Sequence, residues 1–480
     1  MNFRMIFKSL GMVVCIEALC MIPSLIVSFI YGGSDINAFI FSILITAVVG
    51  LAMYLIRIKK STFYSRDGFA IVSLSWILVS FFGSLPFILS RAIPSPVNAF
   101  FESVSGFTTT GASILQKIEG LPEGILFWRS FTHWMGGMGV LVLTLAILPS
   151  VGASSFHIMK AEATGPSPEK LVPKLGQTAK ILYSIYIVLT ASEAILLVLA
   201  GMPLYDSLIH AFGTAGTGGF SIKNASVGAY GSIPVEVIIT IFMLLFGVNF
   251  SLYFQILKGS FKNFYKDEEF RFYIITILSS IVLVTLNLLE NGLYTVGESL
   301  RYSSFQVSSI ITTTGYVTAD FNLWPVLSKC ILLVLMFIGA GAGSTGGGMK
   351  CIRILLLFKI FRRETSKIIH PRAIHPIRIG GKSVEEETLT KTLSFFFMYI
   401  AIFVISTLFI SLDGKDIISS VSSVIATISN IGPGLEIAGP VGNYSSFSVL
   451  SKFIFSFCMI AGRLELLPMI ILFSPAAWKR

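Results

Sequence analysis

Charged residues are scarce in this sequence. Asp, Glu, Lys and Arg make up 12% of its 480 residues, whereas soluble domains carry roughly 25%. Hydrophobic residues account for 54% of the chain, and its mean hydropathy is +0.82. This composition excludes a soluble globular protein and predicts an integral membrane protein, rich in Phe and Gly as packed transmembrane helices are.

Cysteine and histidine are also scarce, with five of each. The cysteines lie in or beside apolar segments without the spacing of metal ligands, so they indicate neither a metal site nor a disulfide framework. His370 and His375 lie in a basic loop, where solvated side chains are expected. The sequence also lacks a Ser-His-Asp arrangement and paired catalytic carboxylates, and it therefore does not favour an enzyme.

The net charge of +10 follows a pattern that indicates membrane topology. Basic residues concentrate at 57–66, 160–180, 258–271 and 350–391, after every second apolar segment. Placing these four regions in the cytoplasm satisfies the positive-inside rule and puts both termini there as well. The excess charge therefore does not predict nucleic acid binding. The N-terminal apolar run contains Glu17 and lacks a clear cleavage site, so we expect a retained first span rather than a signal peptide.

Ten apolar segments are long enough to cross a bilayer core of about 30 Å. They lie at 6–30, 36–57, 69–90, 125–149, 180–201, 233–257, 272–290, 324–358, 391–411 and 448–473. The last eight segments form four pairs, and a shorter stretch of mixed polarity lies between the two members of each pair. Each stretch has room for a half-helix and a loop on the extracellular side. The sequence thus predicts an all-α polytopic membrane protein.

The four short stretches resemble one another. Each is a helix-compatible run rich in Phe, Ser and Ala that ends in Thr, Ser, Asn and Gly. Aligned on Gly111, Gly219, Gly315 and Gly432, they recur about every 105 residues. We interpret them as four pseudo-repeated units of span, pore helix and span around one ion pore. Four unrelated loops that share small polar residues are the alternative.

This interpretation divides the chain into five parts. They are an N-terminal transmembrane hairpin at 1–66 and pore repeats at 67–175, 176–268, 269–385 and 386–480.

The loops have the chemistry of a cation path. An alkali cation must exchange its water shell for oxygen ligands, and backbone carbonyls supply them without a fixed charge that would trap the ion. Glycine permits the backbone conformations that such a loop needs. A short helix before each loop would direct its partially negative C-terminal end at the pore.

The motifs "TTTGAS", "GTGGFS", "TTTGYVT" and "SNIGPGL" closely resemble the four pore loops of the Trk/Ktr/HKT potassium transporter superfamily, and most of all its TrkH/TrkG branch. The resemblance implies K⁺ uptake through a selectivity filter, in the cytoplasmic (inner) membrane of a bacterium. Glycine stands at all four central positions, which favours K⁺ over Na⁺, whereas Asn430 and Pro433 depart from the channel pattern and imply looser selectivity.

The residues that the resemblance assigns to the filter are Thr109, Thr110, Gly111, Ala112, Thr217, Gly218, Gly219, Phe220, Thr313, Thr314, Gly315, Tyr316, Asn430, Ile431, Gly432 and Pro433. Within that set, the backbone carbonyls expected to bind K⁺ belong to Thr110, Gly111, Thr217, Gly218, Thr314, Gly315, Ile431 and Gly432.

A glycine-rich run, "FIGAGAGSTGGGMK", interrupts the second span of the third repeat. It is not a nucleotide-binding P-loop, because Met349 occupies the position of the required lysine. By resemblance it is an intramembrane gate below the filter, and close helix packing through small residues is the alternative. The expected gate residues are Gly341, Gly343, Ser344, Thr345, Gly346, Gly347, Gly348, Lys350 and Arg463.

Arg463 lies within the last apolar segment, where a charge is costly and usually faces the bundle interior or a water-filled cavity. One hypothesis is an electrostatic barrier beside the ion path that also holds the glycine run shut. A structural pairing with a carboxylate or with carbonyls is the other.

The resemblance further implies a homodimer and a cytoplasmic ring of TrkA-type subunits that bind NAD(H) or adenine nucleotides. K⁺ would be the transported ion, and no organic cofactor is expected on this chain. An ion-coupled secondary carrier, by K⁺/H⁺ or K⁺/Na⁺ symport, is the alternative function. A membrane enzyme acting on a lipid-linked substrate is disfavoured, because the extracellular loops lack acidic or His-rich clusters.

Overall fold

The computed structural model describes residues 3–57, 65–139, 175–372 and 375–478. The predicted span 125–149 and the basic regions 57–66, 160–180 and 350–391 lie partly outside these ranges. In the described residues the regular secondary structure is helical apart from one two-residue antiparallel hairpin, Arg378–Ile379 with Lys382–Ser383. The prediction of an all-α polytopic membrane protein is confirmed: among the described residues, six helices have the length and apolarity to cross a membrane, and one bent pair brings the number to seven.

The N-terminal hairpin packs through small residues. Its helices are Phe3–Cys20, Ile22–Tyr31 and Ile36–Tyr54. A Cβ atom on Gly11 would lie 2.7 Å from the carbonyl oxygen of Gly50, so the two backbones approach closely, as small residues allow in membrane helices.

The rest of the chain repeats one order of elements four times: a long first helix, a short pore helix, a loop, and a second helix. The long first helices are Ser65–Gly83 (followed by Leu85–Leu89), Leu175–Leu199, Glu268–Glu290 and Glu386–Ile410. The pore helices are Pro96–Phe107, Leu204–Gly216, Val296–Ile311 and Ile417–Ile428.

The second helix is broken into two pieces in the second, third and fourth repeats. The pieces of the four second helices are Glu123–Gly137; Ile233–Phe246 and Phe250–Leu257; Val326–Ile338 and Cys351–Ile369; and Val449–Arg463 and Leu467–Phe473. The sequence predicts a break only in the third repeat, but the second repeat bends by 90° within three residues, and the fourth breaks at Leu464–Leu466. The breaks within the predicted segments 233–257 and 448–473 were therefore not predicted.

Short elements complete the described chain. They are the helices Phe261–Lys266 and Pro475–Trp478 and the 3-10 turns Ser226–Tyr230, Phe321–Leu323, Ser411–Asp413 and Glu436–Ala438. One apolar core joins the hairpin to the first and fourth repeats, and a second is formed mainly by the third repeat, with contributions from the second and fourth. Together they position the four loops at the centre.

Candidate ion pathway and gate

All four pore helices end in the same hydrogen-bonded turn. In the first, the N–H of Thr109 donates to Gly106 O at 3.1 Å, and that of Thr110 to Ser105 O at 2.9 Å. The same two bonds recur at the corresponding positions of the other three loops. This is the Schellman motif, which requires a left-handed residue after the helix.

The left-handed position is occupied by residues that resist it. Thr109, Thr217, Thr313 and Asn430 have φ of 54°, 55°, 60° and 56°. Asparagine tolerates this conformation, whereas for β-branched threonine it is an outlier. Strained backbone of this kind persists where the surrounding structure over-determines it, often at functional sites.

The four central glycines close a ring. A Cβ atom on Gly111 would lie 2.0 Å from the carbonyl oxygen of Gly218, the residue before the next central glycine. The corresponding distances are 2.1 Å from Gly219 to Thr314 O, 2.1 Å from Gly315 to Ile431 O, and 2.5 Å from Gly432 back to Thr110 O. Each loop therefore touches the next one around a single axis. The φ values of 76°, 75°, 82° and 93° are in the range that favours glycine.

The ring opens into one cavity of about 300 Å³, and the lining of this cavity includes all four central glycines. Aromatic side chains hold the loops from outside. Tyr316 donates its hydroxyl to His210 O at 3.0 Å in the second pore helix, and Tyr444 donates to Gly432 O at 2.8 Å. The Gly432 carbonyl, one of the expected K⁺ ligands, is thus also a hydrogen-bond acceptor within the protein.

The loops are similar without being identical. Hydroxyl pairs at 2.8 Å join Thr108 to Thr110 in the first loop and Thr312 to Thr314 in the third. In the fourth, the Asn430 amide donates to Thr110 Oγ1 at 3.0 Å and to Met459 O at 2.8 Å. Asn430 therefore ties the fourth loop to the first, a role that its departure from the channel pattern did not reveal.

The glycine-rich run lies against the third and fourth loops. The N–H of Gly347 donates to Thr313 Oγ1 at 2.6 Å, and a Cβ atom on Gly347 would lie 2.3 Å from Ser429 O. The run thus contacts the residues that precede two of the central glycines. It has no room for a side chain there.

Broken helix ends anchor this run. Gly341 donates its N–H to Gly247 O at 3.0 Å, and Thr345 donates its hydroxyl to Phe246 O at 3.2 Å. Helix C-termini leave carbonyls without intrahelical partners, and the glycine-rich run satisfies those of the second repeat.

Arg463 joins the run to another helix end. Its Nη1 donates to Thr345 O at 2.7 Å, and its Nη2 donates to Gly136 O and Gly137 O at 2.6 Å each. Lys350 donates to Gly346 O within the run. The sequence leaves two alternatives for Arg463, contact with the glycine-rich run and structural pairing with carbonyls. The structure shows both kinds of contact. A cation beside a helix C-terminus is also favourable.

The sequence has a carboxylate in or near the expected start of each pore helix, where it would suit the helix dipole: Glu102, Asp206, Glu298 and Asp416. Three of the four lie there in the structure. Asp206 and Glu298 are in first turns, and Asp416 caps its helix by accepting from Ser419 N at 2.8 Å. Hydrogen bonds from Thr295 lower the pKa of Glu298. The expectation for Glu102 was wrong, because this residue lies in the middle of Pro96–Phe107 and is buried.

Two functional candidates were missed by the sequence reasoning. Arg129 is buried and pairs with Glu102, with 2.6 Å between Nε and Oε1. Glu269 accepts from Ala342 N at 2.7 Å and from Ile352 N at 3.0 Å, and so joins the glycine-rich run to the first turn of the helix that follows it. The signal for Arg129 was a charge inside an apolar segment; Glu269 lies in a cluster of charges that predicts only a helix end.

Comparison with known proteins matches this architecture. The family model TrkH, described as cation transport protein, matches residues 34–480. The chain is 40% identical to the Trk system potassium uptake protein TrkH of Salmonella typhimurium over 100% of both chains. It is 34% identical to the Trk system potassium uptake protein TrkG of Escherichia coli, over 100% of this chain and 99% of that one. The crystal structure of the potassium transporter TrkH from Vibrio parahaemolyticus superposes with a TM-score of 0.90 at 36% identity, covering both chains fully.

Proposed function

We propose that this chain, which belongs to the TrkH family of cation transport proteins, carries K⁺ into the cell through the ring formed by its four central loops. Its relatives are named potassium uptake proteins and a potassium transporter. The family assignment favours transport over catalysis.

The observation that carries this proposal is the closed ring of glycines. Each central glycine lies against a backbone carbonyl of the next loop, that of the residue just before the next central glycine. All four central glycines line one cavity. Carbonyl oxygens on a narrow axis can replace the hydration shell of an alkali cation. The pore helices end immediately before the loops, so the partially negative ends of their dipoles add to the attraction.

We assign the K⁺ ligands to the eight backbone carbonyls predicted from the sequence, two in each loop. Four of them, those of Thr110, Gly218, Thr314 and Ile431, are the oxygens that lie against the neighbouring glycines. The Gly432 carbonyl shares its oxygen with Tyr444, so we expect it to contribute less.

The gate in this proposal is the glycine-rich run together with Lys350 and Arg463. Support comes from its place against the third and fourth loops and from the three hydrogen bonds of Arg463. Displacing the run would break contacts to Thr313 and Arg463 at the same time. The absence of side chains at its glycines lets it fit closely below the ring.

Purified protein in planar bilayers tests the function. With K⁺ on one side and Na⁺ on the other, we expect a reversal potential that follows K⁺. A reversal potential that follows neither cation would refute the proposal. A shift with the pH or Na⁺ gradient would indicate the symport alternative.

The resemblance to the family also implies an orientation in the membrane and partners. We propose the bacterial inner membrane, cytoplasmic termini, a homodimer, and a cytoplasmic TrkA-type ring that binds nucleotide. The basic helix Cys351–Ile369 and the hairpin after it would face that ring. Cross-linking of the chain in membranes, with and without a TrkA-type subunit, tests both assemblies.

A further inference from the structure

A buried ion pair lies behind the ring, between the first pore helix and the second helix of the same repeat. The Glu102 side chain is fully buried and that of Arg129 is 2% exposed, with 2.6 Å between Oε1 and Nε. Charges removed from water are tolerated only when their remaining hydrogen-bonding capacity is also satisfied. The partners that satisfy it here belong to two different pore loops.

Glu102 holds the first loop. Its Oε1 accepts from Ser113 Oγ at 2.9 Å, and its Oε2 accepts from Ile114 N at 2.9 Å. Ser113 lies two residues after the central glycine Gly111. The carboxylate thus fixes the backbone directly beyond the ring.

Arg129 holds the second loop at the corresponding position. Its Nη1 donates to Ser221 O at 3.0 Å, and Ser221 lies two residues after the central glycine Gly219. The guanidinium carbon also lies 3.5 Å from the centre of the Phe220 ring, where a cation is attracted by the aromatic face. The ion pair therefore spans equivalent positions of two adjacent loops.

Hydrogen bonds between neutral groups join the other neighbouring loops, and the ion pair of Lys329 with Glu436 at the third and fourth loops is long, at 3.9 Å, and partly exposed. Those bonds run from Val317 N to Ser226 Oγ at 3.2 Å, from Glu436 N to Asn322 Oδ1 at 3.0 Å, and from Tyr444 N to Ser113 O at 2.8 Å. The joint between the first and second loops thus differs in having a buried charge on each side.

We propose that Glu102 and Arg129 are positioning residues that fix the spacing of the first two loops and thereby set the discrimination of K⁺ from Na⁺. This proposal rests on the proposed function. Selectivity depends on the position and number of the carbonyls around the ion, and the pair sets the distance between Gly111 and the Gly218 carbonyl. Arg129 also lines the cavity, so its charge is balanced there by Glu102.

The test is the ratio of K⁺ to Na⁺ permeability, measured from bi-ionic reversal potentials of the full-length protein in planar bilayers. Glu102→Gln and Arg129→Gln each remove charge-assisted hydrogen bonds, and we expect each to lower the ratio about tenfold. Ser113→Ala removes one neutral bond to the carboxylate, and we expect a decrease of about threefold. Glu102→Gln with Arg129→Gln should lower the ratio less than the sum of the single effects, since neither charge is then left unpaired.

Glu236→Gln is the matched control. Glu236 forms a bidentate pair with Arg301, at 2.6 and 2.5 Å, between a second helix and a pore helix. Glu236→Gln should leave the ratio of K⁺ to Na⁺ permeability unchanged. If the glutamine variants at 102 and 129 fail to fold, Ser113→Ala alone decides.

The outcomes separate the two proposals. A wild-type ratio in Ser113→Ala and in the folded charge variants, or a lower K⁺ conductance at an unchanged ratio, would show a structural role only and overturn the positioning pair. Wild-type protein that does not conduct K⁺ would instead overturn the proposed function.

Discussion

Replacing Gly315 with serine tests the ring at the contact between the third and fourth loops. Gly315 has φ of 82°, and a Cβ atom there would lie 2.1 Å from Ile431 O and 2.8 Å from Pro433 Cδ. Cβ atoms do not approach other atoms within 3.0 Å, so the third loop and the Ile431 carbonyl must move apart. That carbonyl is one of the proposed K⁺ ligands.

The magnitude follows from the two costs. A left-handed conformation costs a non-glycine residue about 1–2 kcal/mol, which a membrane protein with two large apolar cores should survive. Separating the carbonyl from its neighbour disturbs one ligand of an ion site, and we expect the ratio of K⁺ to Na⁺ permeability to fall about tenfold, equivalent to about 1.4 kcal/mol. Reversal potentials in planar bilayers under bi-ionic conditions measure this ratio.

Gly297→Ser is the control in the same repeat. Gly297 lies in the first turn of the third pore helix, and no atom lies within 4 Å of a Cβ placed there. The control should keep the wild-type ratio. A wild-type ratio in folded Gly315→Ser would refute the reasoning.

The same substitution in the other loops should give a graded series. The Cβ-to-carbonyl distances are 2.0 Å at Gly111, 2.1 Å at Gly219 and 2.5 Å at Gly432. Gly432→Ser requires the smallest displacement and should therefore lower the ratio least. A larger loss at Gly432 than at Gly111 would contradict the ring geometry.

Three further predictions concern the gate. Arg463→Ala removes three hydrogen bonds of 2.6–2.7 Å and should raise K⁺ flux from proteoliposomes several-fold, about the effect of 1 kcal/mol on a closed state; unchanged or lower flux would leave only the helix-capping role. Deleting residues 341–347 should raise K⁺ flux and weaken its regulation, and unchanged flux would exclude a gate. Glu269→Gln weakens the acceptor for Ala342 N and Ile352 N, so it should raise flux less than the deletion does, with wild-type selectivity; a lower permeability ratio in this variant would place Glu269 in the filter instead.

Much of the ring was predictable because it depends on local chemistry. A central glycine at one place in each of four similar stretches indicates a backbone that other residues resist, and the structure gives all four a positive φ. The Schellman turns before them were not predictable. Thr109, Thr217 and Thr313 are β-branched, and local propensity disfavours the left-handed conformation that tertiary contacts impose on them.

The breaks in the second helices divide in the same way. Glycine density revealed the break in the third repeat, since six glycines within the ten residues 339–348 disfavour a helix strongly. The second repeat breaks at "FGVNF", where one glycine and one asparagine weaken a helix without ending it. That break depends on partners that are distant in sequence, such as the contact from Gly341 to Gly247. The fourth repeat breaks at "RLELLP", where Pro468 in the first turn of Leu467–Phe473 is a local signal that the sequence analysis did not use.

The buried ion pair was hidden for a related reason. Glu102 and Arg129 are 27 residues apart on different helices, and neither spacing nor composition links them. A carboxylate near a pore helix suggested an N-terminal position, where the helix dipole favours it. Only the packing of the two helices shows that the carboxylate faces an arginine.

Four repeats in one chain can carry different residues at equivalent positions, which the identical subunits of a symmetric tetramer cannot. The ends of the second helices in the first two repeats leave carbonyls below the ring, and the fourth and third repeats supply their partners through Arg463 and the glycine-rich run. A tetramer of identical subunits would place four arginines and four glycine-rich runs around one axis, where neither the charge nor the space would allow it. The asymmetry of the sequence is therefore what lets one loop and one arginine lie below the ring. It also predicts that moving Arg463 into another repeat will not restore the closed state of Arg463→Ala, because the Thr345 carbonyl that it contacts belongs to the third repeat alone.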